Sequence, residues 1–412
     1  MKEGGLAEDD KRLRRDLGLK EVVFFGVGVT LGAGIYAIIG EAALVSGNMV
    51  WLSFLVASFV ALLSAFSYAE LSSRYPDAGG EFEYVNQVFG RSPAFVIGFL
   101  VAVTGIVASA AISISFAEYL SVVYPLNRTA AAIGIMLLMA AVNISGIKHS
   151  SKTNMIATAI TLAGLVLVVL FSIPDLGSVD YLEMPPSGSV GILSAGALIF
   201  FAYVGFEDVV KLAEETENPR ENIPKGLILS NLIVMVIYLM VSLSLVSVIE
   251  CEGLGGVEGP LSHLMRSKTG FVGASLMAVF ALFATSNSIL TNVIATSRIV
   301  FDMGRESTIL KPLTYLTPGL GTPLTGTLLT SAAILAFILI GDLKTVAALS
   351  NMFIFAVFFT INVTAIASRF RPGEEARFKM PLNIGKFPLI SVVGAFSILM
   401  LFIYNLGNLG FP

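Results

Sequence analysis

Gly26-Val-Gly-Val-Thr-Leu-Gly-Ala-Gly-Ile-Tyr36 and Phe200-Phe-Ala-Tyr-Val-Gly-Phe-Glu-Asp208 decide how the chain is read. Each lies in an apolar block long enough to be one helix, and each carries residues a continuous helix resists. Four glycines crowd the first, at a cost of about 1 kcal/mol each against alanine. In the second, Gly205 is followed within three residues by two acids. Small residues also let membrane helices approach closely, which is the other use of glycine at such positions. The pairing of the two interruptions favours breaks. Unwinding strands backbone N–H and C=O groups at membrane depth, which is tolerable only where protein, water or a ligand satisfies them.

The surrounding blocks define the class. The chain has 412 residues, 55% apolar and only 13% charged, against roughly one quarter charged in soluble proteins. Apolar blocks at 20–46, 50–72, 93–123, 129–147, 154–173, 190–212, 225–249, 270–303, 324–341, 345–368 and 387–407 are each about the length that crosses 30 Å of hydrocarbon. The sequence therefore predicts an all-α polytopic membrane protein with eleven spans. The quoted interruptions fall in spans 1 and 6. Five is odd, so these two spans run in opposite directions, as in two five-helix repeats of inverted topology. Matched Gly-interrupted spans in such halves point to a transporter binding site.

Basic residues orient the chain. Of 25 lysines and arginines, all but Arg128, Arg266, Lys268 and Lys344 fall in the N-terminal tail and alternate loops, so the N-terminus is expected inside. The division follows: a cytoplasmic tail 1–19, a first repeat 20–173, a second repeat 190–368 and an additional helix 387–407.

Other classes are short of residues. A net charge of −4 spread over short loops gives no basic face for nucleic acid. Cys251 has no partner for a disulfide or thiolate site, and the two histidines, His149 and His263, fall in loops on opposite sides of the membrane. No metal motif or nucleophile–base pair is visible, so no enzyme activity and no cofactor are expected. The deep parts of the broken spans hold no lysine or arginine. Half-helix N-termini favour an anion and freed carbonyls a cation, which suits a zwitterion such as an amino acid.

These motifs resemble those of amino acid-polyamine-organocation (APC) permeases, including archaeal, bacterial and cationic amino acid transporter-like members. Gly32-Ala-Gly-Ile-Tyr36 looks like their first-span signature and Phe200-Phe-Ala-Tyr-Val-Gly-Phe206 like the sixth-span one. Similar matches are Tyr68-Ala-Glu-Leu-Ser-Ser-Arg-Tyr-Pro-Asp-Ala-Gly-Gly80, Glu214-Glu-Thr-Glu-Asn-Pro-Arg220 and the stretch Arg369 to Pro381. The resemblance covers nearly the whole chain and implies a leucine-transporter-type fold working by alternating access. It places the substrate carboxylate on amides of Gly32, Ala33, Gly34 and Ile35. The ammonium falls near carbonyls of Phe200, Phe201 and Tyr203, with Phe201 as aromatic gate and Ala202 and Gly205 also counted among the substrate-binding residues. Glu207, below the site, takes a coupling or gating role, while Glu70, Glu83, Glu214 and Glu215 cap helices or form inner ion pairs.

Two departures qualify the likeness. Some proton-coupled members carry a fifth-span lysine, and the matching position here is Thr161. A sodium ion would instead need oxygens, from carbonyls of Gly28 and Leu31 and side chains of Ser286, Asn287 and Thr161, with Thr285 and Ser288 adjoining. Most members also have twelve spans, and the eleven here put any dimer contact of a last helix in doubt, leaving a monomer or weak homodimer. The expected function is amino acid transport across the cell membrane by proton-coupled symport or exchange. A sodium symporter, a channel and a non-transporting sensor are the alternatives.

Overall fold

The structure is a computed structural model describing residues 17–76, 80–145, 151–250, 254, 257, 259–306, 311–317, 322–340, 342–372 and 375–410. The charged tail up to Asp16, together with Lys148, His149 and Cys251, lies outside the described residues.

Span 1 is two helices, α1 (Leu19–Thr30) and α2 (Gly34–Ser46). Span 2 is α3 (Val50–Arg74), followed by a short helix α4 (Gly80–Phe89). Spans 3, 4 and 5 are α5 (Arg91–Val123), α6 (Arg128–Ile144) and α7 (Ser151–Ser172). Span 6 begins as α8 (Gly188–Ile199) and continues as two tighter 3-10 segments, Phe200–Tyr203 and Phe206–Leu212. Spans 7 and 8 are α9 (Pro219–Val248) and α10 (Pro260–Glu306). Spans 9 and 10 are α11 (Leu324–Ile338) and α12 (Leu343–Ser368). A small hairpin, β1 (Asn383–Ile384) against β2 (Phe387–Pro388), leads into span 11, α13 (Leu389–Asn408).

Local chemistry sets several starts. Glu21 reaches back to the Gly18 amide (3.0 Å), Asn127 caps α6 through the Ala130 amide (3.0 Å), and Asp342 caps α12 through Thr345 (2.8 Å), each satisfying a donor the first helical turn leaves bare. Pro219 opens α9, where its missing N–H costs nothing.

Among the described residues, eight helical segments are long and apolar enough to cross a membrane, one of which takes in α2 and α3 together. Two shorter apolar helices, α6 and α11, occupy the fourth and ninth positions. The largest boundary difference from the sequence is at span 8. Its helix starts ten residues earlier, at Pro260, and turns at Gly270 (φ 70°, ψ −158°), where only glycine is unstrained. Leu261, Leu264 and Met265 of this extension are buried, so it packs on the bundle as a cap and Pro260 sits on Gly40 of α2.

The packing has an internal symmetry. Span 3 lies against span 8, and span 2 against span 7. Span 3 packs on span 10 as span 8 packs on span 5, and span 9 packs on span 3 as span 4 packs on span 8. The first half of span 1 packs on span 7 as the first half of span 6 packs on span 2. Moving every span number by five maps each of these contacts onto another. Because the shift is odd, the two sets run in opposite senses, which is the inverted 5+5 arrangement.

Candidate functional site

Both interruptions are present and they meet. Leu31, Gly32 and Ala33 separate α1 from α2. In span 6, Val204 is extended (φ −62°, ψ 130°) and Gly205 is left-handed (φ 119°) before the chain coils again. A Cβ on Gly34 would lie 2.6 Å from the Ala202 Cα and 3.3 Å from the Phe201 carbonyl oxygen; one on Gly205 would lie 3.1 Å from the Val29 oxygen. Real Cβ atoms do not come within 2.6 Å of backbone, and 3.1–3.3 Å is tighter than most of their contacts, so glycine is what lets the two breaks touch.

Each broken end keeps its backbone groups partly served. The Ala33 amide donates to Ser288 Oγ at 3.0 Å, and the Gly205 amide to Glu207 Oε2 at 2.8 Å. Tyr238 Oη reaches both the Thr30 and the Ala202 carbonyl oxygens, at 2.8 and 2.9 Å. Asn351 Nδ2 donates to the Ala197 and Leu198 carbonyls at 2.8 and 3.2 Å. The amides opening α2, at Gly34 and Ile35, have no intrahelical partner by construction and stand at the positive end of a helix dipole.

In front of the breaks is a cavity of about 110 Å³. Gly32, Ala33, Gly34, Phe201 and Gly205 border it, with Ser288, Thr291 and Asn292 of α10, and Thr104, Gly105 and Ala108 of α5. It runs toward the end of the bundle where α1 begins and α4 lies, and there Glu81, Glu207, Asp208 and Lys211 line its mouth. Glu81 and Glu207 are buried (5% and 7% exposed), while Lys211 and Asp208 form an ion pair with about a third of each side chain exposed. Tyr68 Oη donates to Glu81 at 3.1 Å. On the opposite side the way is shut: Tyr119 Oη donates to the Tyr36 carbonyl (3.0 Å), their rings meet edge to face at 6.0 Å, and both are fully buried.

Of the residues expected at the substrate, Gly32, Ala33, Gly34, Phe201 and Gly205 border the cavity. Ile35, Phe200, Ala202 and Tyr203 stand behind its wall, buried. Phe200 packs on Phe355 (4.9 Å) and Phe358 (5.6 Å), and the Tyr203 hydroxyl is bonded to Ser58. Glu207 follows Gly205 by two residues, in the first turn of the Phe206–Leu212 segment, and borders the cavity. Gly28, Leu31, Thr161, Ser286 and Asn287 are not among the cavity's lining. The Thr161 hydroxyl is bonded to the Ala157 carbonyl (2.9 Å), and its own carbonyl accepts from Tyr36 Oη (2.9 Å). The span-5 side chain pressed against Gly28 is Thr158, one helical turn earlier, and the α10 hydroxyl at the break is Ser288 rather than Ser286. Glu81, in the first turn of α4, and Lys211, at the end of the sixth apolar block, are site residues the sequence reading did not name, because nothing local in the sequence shows that α4 packs beside the end of span 6. Glu70 does form an ion pair, accepting from Arg369 Nε and Nη2 at 2.5 Å each.

Among the described residues, no group of three or more His, Cys, Asp or Glu is disposed to hold a metal ion. Comparison with known sequences agrees with the geometry. A branched-chain amino acid permease of Bacillus subtilis is 28% identical, covering 90% of this chain and 85% of the relative. A methylthioribose transporter of the same organism is 30% identical over 96% and 89%. Cationic amino acid transporter 6 of Arabidopsis thaliana is 27% identical over 89% and 67%. The profile described as amino acid permease matches residues 17–410, and the chain therefore belongs to the amino acid permease family, within the APC superfamily.

Proposed function

We propose that this protein is a secondary transporter that carries an amino acid across the cell membrane by alternating access, with its N-terminus in the cytoplasm. The observation that supports this most directly is the cavity bordered by both interrupted spans. One wall offers the α2 N-terminus at Gly32–Gly34, suited to a carboxylate. The other carries Phe201, Val204 and Gly205 of the span-6 break, and the C-terminal end of an interrupted helix suits an ammonium. The cavity opens toward one side and is sealed toward the other by Tyr36 and Tyr119, as an alternating-access carrier requires of each of its open states. In this reading, residues 20–173 and 190–368 are the two repeats and 387–407 an added helix, in a monomer or weak homodimer.

Spans 1, 2, 6 and 7 pack mutually and form the unit that rocks against spans 3, 4, 8 and 9. Substrate acts by stabilising the intermediate in which both mouths are closed. Glu207, buried in the cavity wall and bonded to the Gly205 amide, is the proton carrier in a symport mode; in an exchange mode, internal substrate drives the return.

Uptake of a labelled amino acid panel into proteoliposomes tests this, under a pH gradient, a sodium gradient, or with unlabelled amino acid inside. Concentrative uptake under the pH gradient or by exchange is expected. Uptake driven by sodium alone would move the ion site to the oxygens around Gly28, Thr158 and Ser288. No binding or transport of any amino acid would overturn the substrate assignment and favour a channel or sensor.

A further inference from the structure

A single hydroxyl serves both interruptions. In a continuous helix the Thr30 carbonyl would accept from the amide of residue 34, and the Ala202 carbonyl from that of residue 206. The interruptions fall inside both intervals, at Leu31–Ala33 and at Val204–Gly205. Tyr238, from the middle of α9, places its Oη 2.8 Å from one carbonyl oxygen and 2.9 Å from the other. Its ring is fully buried, edge-on to Phe54 (5.7 Å) and Tyr203 (5.1 Å), so the hydroxyl is not free to swing away.

A phenol carries one proton. Two carbonyl oxygens converge on it, so at any moment one is held and the other faces a lone pair. Burial makes a wholly missing donor costly at each carbonyl. The shared proton therefore ties the end of α1 to the start of the span-6 break, and through them sets the contact of Gly34 with Ala202 that shapes the cavity wall. We propose that Tyr238 is a positioning residue of the substrate site: it never touches the amino acid, and it holds the two interruptions in the register that lets the substrate bridge them. This rests on the breaks being the binding site, as proposed above.

The test compares wild type with Tyr238→Phe, which keeps the ring packing and removes only the hydroxyl. Amino acid binding is followed by substrate-induced thermal shift, and transport in proteoliposomes is resolved into KM and Vmax. The expected result is a roughly tenfold rise in KM and Kd, the scale of one lost hydrogen bond. The substrate-free melting temperature and Vmax change less. A lower melting temperature and Vmax with unchanged KM would overturn the proposal, since that is what a purely structural tyrosine gives. Should Tyr238→Phe not fold, 3-fluorotyrosine at position 238, a stronger donor on the same ring, is expected to lower Kd, and an unchanged Kd would overturn it. A wild type that binds no amino acid sinks the transport reading along with this one; a wild type that binds, beside a Tyr238→Phe protein that binds equally well, sinks only this one.

Discussion

At the residue scale the site is built on the absence of a side chain. A Cβ at position 34 would sit 2.6 Å from the Ala202 Cα, and backbone cannot yield as a side-chain tip can. Gly34→Val is therefore expected to push the two breaks apart, at the 1–3 kcal/mol typical of overpacking. Amino acid binding weakens tenfold or more, read as loss of substrate-induced thermal stabilisation in a normally inserted protein. Glu207→Gln preserves an oxygen for the Gly205 amide and removes the ionisable proton. Folding should persist while the pH dependence of uptake flattens, and a profile identical to wild type would exclude this carboxyl from coupling. Glycine spacing and the Glu207 position were legible in the sequence, because a run such as Gly32-Ala-Gly34 has few uses in a helix. The hydroxyl beside Gly28 was not. Thr158 and Thr161 lie three residues apart on one face of α7, and which of them meets Gly28 depends on how far that helix is shifted along its axis, which an apolar block does not encode.

At the element scale the two breaks differ in kind. Span 1 resumes as an ordinary α-helix, whereas span 6 resumes through left-handed Gly205 as a 3-10 segment from Phe206 to Leu212. Gly205→Ala forces a left-handed backbone on a residue with a Cβ, at about 1–2 kcal/mol, and that Cβ also meets the Val29 carbonyl at 3.1 Å. A several-fold loss of transport rate with normal expression is expected from uptake assays. The C-terminal end of α3 is latched to the loop after α12: Arg369 pairs with Glu70, Glu70 Oε2 also accepts the Met380 amide at 2.9 Å, and Ser73 Oγ accepts the Phe378 amide at 2.8 Å. The pair is nearly buried (12% and 5% exposed). Arg369→Met leaves an uncompensated carboxylate, at about 3 kcal/mol or more, and should lower the melting temperature in detergent far more than Arg377→Met, whose contact with Glu221 is exposed and 4.0 Å long. Span positions followed from hydropathy alone, because lipid imposes length. The extension of α10 back to Pro260 did not, because ten mixed residues that pack on the bundle read like any polar loop.

At the scale of the whole molecule, the symmetric packing supplies the machinery and the cavity shows which way it faces. Ala295 of α10 is exposed and borders the cavity, whereas Tyr119 on the far side is fully buried. In a Cys251→Ser background, Ala295→Cys should react with a thiol reagent supplied from the N-terminal side, and saturating substrate should slow that reaction. Equal labelling from both sides would mean an open pore. The inverted repeat was readable from the odd separation of the two breaks, while the facing of the cavity was not, because hydropathy gives the position of a span and not how tightly its two ends pack. The mouth of that cavity carries three carboxyl groups, Glu81, Glu207 and Asp208, against the single ammonium of Lys211. If the bundle rocks as proposed, these charges move relative to the transmembrane voltage, and each elementary charge carried through the full field is worth about 2.3 kcal/mol per 100 mV. An empty carrier with all three acids ionised would drag net negative charge through part of that field, while a protonated or cation-loaded one would drag less. The membrane potential then acts on the journey home as well as on the cargo, and the current recorded at zero substrate becomes a count of the ionised groups.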